Sequence, residues 1–269
     1  WSNGYPTTIV VDNKGKIVRG YFENQNELPQ FISSLIGDPA NYESTDYSKD
    51  RELITLQKAT SGKGINLLIL GDGFTDKTMG KGGLYETRAK ITMEKFFDVE
   101  PTKSLRNLFN VYCIKLVSKN SGIGSGRKTA LSVNYGEGTR INGNDEECIN
   151  IALNNISLLS TIKDLSIVVM INDDKYAGTC YIYSNNLTIA YCPFVENSEE
   201  QFGQIIHHEA IGHGLGKLGD EYSYSGTIPT NTKLNYINQK RQYGWWENID
   251  FPESLPYVAW YEYLNNPLY

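Results

Sequence analysis

Apolar residues run almost unbroken from Ile65 to Leu70 and again from Leu165 to Ile171, the mark of strands buried on both faces of a sheet. Phe109 to Val117 reads as a further strand. Between these runs the apolar period shifts from two toward 3.6. Leu84 to Phe97 and Glu146 to Leu159 carry apolar stripes on one side and predict helices. Thr179-Cys180-Tyr181-Ile182-Tyr183 and Leu187-Thr188-Ile189-Ala190-Tyr191-Cys192 flank Ser184-Asn185-Asn186, which predicts an antiparallel hairpin. A last helix is expected from about Glu199 to Leu215. Strands alternating with helices in this way predict an α/β fold on a mixed, mostly parallel sheet, with the hairpin at its edge and the last helix after it.

The start of the chain has its own pattern. Gly4 to Asp12, a tight turn, and Asn13 to Gly20 read as two strands, and Glu27 to Ile36 as a short amphipathic helix. Asp38 to Asp50 is polar, with no apolar period, and reads as part of a linker. The expected organisation is a small fragment over 1–40, a linker over 41–59 and a main domain over 60–269, the part that carries the candidate chemistry. The fragment resembles the C-terminal half of a thioredoxin-like domain, with Pro6 in the place of the cis-proline before a strand. The chain has no C-x-x-C, so this fragment cannot carry dithiol chemistry by itself.

Composition narrows the classes of function. A length of 269 residues suffices for one large core and a small module. A net charge of −6 and a pI near 5.2 argue against nucleic-acid binding. No apolar run approaches the roughly 20 residues of a membrane span. The four cysteines leave the redox compartment open. Cys180 and Cys192 lie nearly symmetrically about the hairpin turn, so they are either a cross-strand disulfide or two packed thiols. Cys113 and Cys148 are expected in the core.

The chemistry is concentrated in one place. All three histidines of the chain fall in His207-His208-Glu209-Ala210-Ile211-Gly212-His213. Histidine is the commonest protein ligand of zinc, and a glutamate beside one of a spaced pair is the arrangement of a zinc hydrolase. The usual zinc-peptidase helix is H-E-x-x-H, with ligands at i and i+4. Here His208 and His213 are one residue further apart. At about 100° per residue, i+4 lies roughly 40° round a helix and i+5 roughly 140°. A one-residue π-bulge restores a shared face. Gly212 eases packing beside His213, and Gly214 and Gly216 loosen the helix end. Glu209 and His213 are an i, i+4 pair and form an alternative ligand set, whereas His207 and His213 diverge. Taking His208 and His213 as ligands leaves Glu209 free to activate water.

Residues 208 to 222, His-Glu-Ala-Ile-Gly-His-Gly-Leu-Gly-Lys-Leu-Gly-Asp-Glu-Tyr, resemble the signature of the IgA-peptidase family of zinc metallopeptidases. Ile65 to Thr75, Phe96-Phe97 through Glu100-Pro101, Phe109 to Tyr112, Ser118 to Gly122 and Tyr176-Ala177-Gly178 also resemble segments of that family, so the likeness spans about residues 60 to 225. It implies a zincin-like domain holding one Zn2+. The third ligand would be Asp220, with Glu221 as competitor, brought back to the metal by a turn at Gly214, Gly216 or Gly219. Glu209 would be the general base. Tyr222 is either a residue that bonds a ligand or the oxyanion, or a packing tyrosine. Substrate would lie as an extended strand along the sheet edge, so that Gly178, Thr179 and Tyr181 are candidate substrate-binding residues. Family catalytic domains usually run on beyond Tyr269, which implies a domain cut short. The resemblance further implies a protein or peptide substrate and a secreted, periplasmic or cell-surface place in a bacterium. A non-catalytic metal-containing binding module is the alternative function.

Other features carry less. Gly71-Asp72-Gly73 lacks the third glycine of a dinucleotide fingerprint and the Lys-Ser/Thr of a P-loop, so it reads as a turn with a structural aspartate. Asp145-Glu146-Glu147 and Asn172-Asp173-Asp174 read as solvated acidic clusters whose spacing matches no EF-hand. Gly122 to Gly126 reads as a flexible loop. Trp245-Trp246 and Trp260 to Tyr263 read as packing aromatics.

Overall fold

Six strands form one sheet in the computed structural model, which describes residues 10–11, 17–19, 42–195, 198–220 and 228–251. In chain order the strands are β1 (Val10–Val11), β2 (Ile17–Arg19), β3 (Leu53–Gln57), β4 (Ile65–Asp72), β5 (Phe109–Ile114), β6 (Asn134–Tyr135), β7 (Ile141–Asn142), β8 (Ser166–Ile171), β9 (Thr179–Ile182) and β10 (Thr188–Pro193). The main sheet has the order β3-β5-β4-β8-β10-β9. Its four inner strands are parallel. Both edges are antiparallel, β9 on β10 and β3 on β5.

The apolar runs explain the inner strands. Along β4, Leu67 and Ile69 enter one core and Leu68 and Leu70 the other, all four fully or almost fully buried. Burying each such side chain is worth about 1.5–3 kcal/mol. The Leu84–Phe96 helix and the helix beginning at Glu199 cover the first face, and the Asp145–Asn154 helix covers the second. The predicted helix over 146–159 is two helices, Asp145–Asn154 and Ile156–Leu159, with Asn155 between them. Asn144 starts the first by accepting from the Glu147 N–H.

The stretch read as a linker differs from that expectation. Part of it is β3, an edge strand whose residues alternate between exposed and half-buried, a weak signal in sequence. Ahead of β3, Ser44 N–H donates to the Lys119 carbonyl at 2.8 Å and its hydroxyl to the Ser118 carbonyl at 2.7 Å, which ties residues 42–52 to the domain. The predicted N-terminal pair of strands is present as β1 and β2, antiparallel. Pro6 and Glu27 to Ile36 lie outside the described residues, and nothing among the described residues tests the thioredoxin-like reading.

Asp72 closes β4 as a structural residue. Its carboxylate accepts from the Ser118 and Thr129 hydroxyls and from the Leu131 and Val133 N–H groups, between 2.7 and 3.1 Å. Four donors around one buried carboxylate fix the loops at this end of the sheet. The expected turn with a structural aspartate is what stands there.

Candidate metal centre

The helix that begins at Glu199 is α-helical to Ile205 and π-helical over the ten residues Ile206–Leu215. The expectation was one extra residue in an α-helix; the whole segment that bears His208 and His213 adopts the wider register. In an i→i+5 ladder, residues five apart lie one above the other. His208 and His213 therefore share a face, with ring centroids 4.5 Å apart. Ile206, Ala210 and Ile211 anchor the opposite side in the core. Gly214 faces the sheet, where a Cβ would meet Thr188 Oγ1 at 3.5 Å and Cys180 Sγ at 3.9 Å. The Gly216 N–H closes the ladder on the Ile211 carbonyl at 2.8 Å.

The chain then turns at Lys217, whose φ is 53°, and not at a glycine as expected. A left-handed lysine costs about 1–2 kcal/mol. Its ammonium returns to bond the Gly214 carbonyl, which offsets this cost. The turn carries Asp220 back over the helix. Asp220 Oδ1 lies 3.3 Å from His208 Nε2 and 3.3 Å from His213 Nε2, and the two Nε2 atoms are 3.2 Å apart. His213 Nδ1 faces the Leu218 carbonyl at 2.6 Å. A carbonyl only accepts, so Nδ1 carries the proton and Nε2 offers a lone pair to the triangle. Burial and His213 hold the His208 imidazole below its usual range, against the pull of Asp220, and so favour the neutral, ligating form.

The residues suit a zinc ion. Three ligands at about 2.0–2.1 Å in tetrahedral geometry stand about 3.3–3.4 Å from each other, the spacing this triangle has. Asp220 Oδ1 is buried and has no hydrogen-bond partner among the described residues, a costly state for a carboxylate oxygen unless a cation sits against it. His208, His213 and Asp220 are the only such cluster among the described residues. Two imidazoles and one carboxylate with an open fourth position make the donor set of a catalytic zinc site, whereas calcium and magnesium want six or more oxygens.

Glu209 stands beside the triangle at 7% exposure. Burial, reinforced by the Asp220 carboxylate, pushes its carboxyl up to about 8, and a hydrogen bond from the Cys180 N–H pulls the other way. Gly178 lies directly against it: a Cβ there would fall 2.5 Å from Glu209 Oε1 and 2.6 Å from Cγ. Glu209 and His208 line a pocket of about 480 Å³ together with Thr139, Tyr176, Gly178 and Gln204.

The structure sorts the other candidates. Thr179 and Tyr181 face the β6–β7 hairpin instead of this pocket: Thr179 Oγ1 accepts from the Ile141 N–H at 2.9 Å, and the Tyr181 hydroxyl donates to the Ile141 carbonyl at 2.8 Å. His207 is outside the triangle and holds Asp98 at 2.7 Å, tying the helix to its neighbour. Glu221 and Tyr222 lie outside the described residues. Cys180 and Cys192 are free thiols. The register sets Cys180 opposite Ala190, so Cys192 is its diagonal neighbour, about 7–8 Å away and beyond disulfide reach. Thr139 and Gln204 carried no signal in sequence, because only the folded hairpin and helix bring them to the pocket.

Among the described residues no helix is long and apolar enough to cross a membrane. No curated protein matches the chain. The family described as IgA Peptidase M64 matches residues 54–268, from β3 through the triangle and beyond. The chain thus belongs to the IgA peptidase M64 family.

Proposed function

We propose that the protein is a zinc-dependent endopeptidase that cleaves extracellular proteins, with one Zn2+ held by His208, His213 and Asp220 and with Glu209 as general base. The observation that carries this reading is the triangle of ligand atoms 3.2–3.3 Å apart with the buried Glu209 carboxyl beside it. Bound there, zinc supplies Lewis acidity toward a peptide carbonyl and makes water acidic enough to attack it near neutral pH.

The chain's own groups do the rest. Glu209 takes a proton from the attacking water and returns it to the leaving amine. Burial and the Asp220 carboxylate raise this carboxyl in the metal-free protein, and the positive charge of a bound zinc would draw it back toward the ionised form that accepts a proton. Gly178 and the Cys180 N–H hold the carboxyl in one place. The pocket beside it receives a substrate side chain, and β9, the outermost strand, offers a backbone edge for an extended peptide. Tyr222 belongs to this reading as a group bonding a ligand or the oxyanion. An extracellular, periplasmic or cell-surface place in a bacterium completes it. A binding module without turnover has no need of a buried glutamate poised beside three ligands, so the enzyme is the better reading.

Metal analysis of the purified chain tests the site. We expect about one zinc per wild-type molecule and less than a tenth of that in His213→Ala. A wild-type protein that stays zinc-free in excess zinc would end the proposal.

A further inference from the structure

The loop that delivers Asp220 is held from a later part of the chain. Leu218 gives its carbonyl to His213 Nδ1 at 2.6 Å, and Gly219 directly precedes Asp220. The side-chain amide of Asn248 grips Gly219 on both sides. Gly219 N–H donates to Asn248 Oδ1 at 2.9 Å, and Asn248 Nδ2 donates to the Gly219 carbonyl at 2.8 Å. Two residues earlier the Trp246 N–H donates to the Lys217 carbonyl at 2.8 Å. The fit is close: a Cβ on Gly219 would stand 2.4 Å from Ile249 Cδ1 and 3.2 Å from the Trp246 ring. Trp246 takes a φ of 62° to make this contact.

We infer that Asn248 is a positioning residue for the metal site, acting through the Gly219 peptide on Asp220 and through Leu218 on His213. The inference rests on the reading of His208, His213 and Asp220 as a zinc site. The turn bonds back to the helix as far as Leu218, whose N–H donates to the Gly212 carbonyl at 2.9 Å; Asn248 holds the next residue, Gly219, which leads into Asp220. The carboxamide satisfies both backbone polar groups of one residue, as a neighbouring strand would, and so fixes the two peptides that join Leu218 to Gly219 and Gly219 to Asp220. Groups that orient metal ligands in this way typically change metal affinity by about 10–100-fold when removed.

The test is zinc affinity of the full chain, measured by competition with a chelator, for wild type, Asn248→Ala and Asn186→Gly. Asn186 is the control because its Oδ1 accepts from Trp245 Nε1 at 2.8 Å and so fastens the same segment without touching residues 217–220. Its φ of 64° suits glycine. We expect Asn248→Ala to bind zinc about 10–100-fold more weakly, and Asn186→Gly to bind like wild type although its melting temperature falls. If Asn248→Ala does not fold, Asn248→Asp replaces it: the shape and the acceptor remain, but an oxygen faces the Gly219 carbonyl, and the same weakening is expected. Wild-type affinity in a folded Asn248 variant, or an equal loss in Asn186→Gly, would overturn the inference. A wild type that binds no zinc would instead remove the metal reading beneath it.

Discussion

Glu209 and Gly178 are coupled by the lack of a single methyl group. The backbone at Gly178 is one any residue can adopt, but a Cβ would collide with the Glu209 carboxyl at 2.5 Å. Gly178→Ala should therefore displace the base while leaving the three ligands in place. The expected result is a fall in kcat of about 10²-fold with unchanged zinc content, since displacement by about 1 Å costs that much. Wild-type kcat in Gly178→Ala would show that the carboxyl is not held by this contact. His208, Glu209 and His213 stood out in sequence by residue type and short spacing, and Asp220 through the family resemblance; the fold brings the four together. Gly178 was also singled out, but as a substrate-binding residue. Its contact with Glu209 joins the head of β9 to a helix far along the chain, and no spacing shows that.

At the scale of elements, the pairing of His208 with His213 depends on the π register of Ile206–Leu215. The extra residue between the histidines announced a departure from the α-helix. Its extent did not follow from the histidines, because it is set by how Ile206, Ala210, Ile211 and Gly214 fill the space over β8, β9 and β10. Inserting one alanine between Ala210 and Ile211 would separate the histidines by six, which neither an α nor a π ladder aligns. The insertion should abolish zinc binding while circular dichroism stays near that of wild type; retained binding would mean that the register is not what pairs the ligands. The inner strands were legible as continuous apolar runs, since a parallel strand is buried on both faces. β3 was not, because an edge strand shows only a partial alternation.

At the scale of the molecule, the cleft is assembled from distant parts of the chain, namely Thr139 of the hairpin, Tyr176 to Gly178, and Gln204, Ile205, His208 and Glu209 of the helix. The stretch ahead of β3 is bound into the same body by Asp76. Burial alone would raise the Asp76 carboxyl, but the N–H groups of Asp46 and Thr45 and the Tyr42 hydroxyl, at 2.8–2.9 Å, outweigh it and hold it below the ordinary 3.8. A carboxyl lowered by folding stabilises the protein above its unfolded pKa, and the contribution disappears as pH falls through the folded value. Asp76→Asn should thus cost about 0.5–1 kcal/mol in urea unfolding at pH 7, solvent screening included, and the two proteins should converge as the pH is taken below 3.8. A gap that stays constant with pH would show that the carboxylate charge is not involved. None of this was visible in sequence, where Asp38 to Asp50 had no apolar period to mark them as part of the fold.

Hydrolysis of unfolded casein by wild type and Glu209→Gln, with zinc content determined on the same samples, tests the central claim most directly. The account predicts equal zinc in both and a rate lower by about 10²–10⁴-fold in the variant. Equal rates at equal zinc would show that Glu209 is not the base, and a wild type that carries zinc but cleaves nothing would contradict the peptidase reading itself.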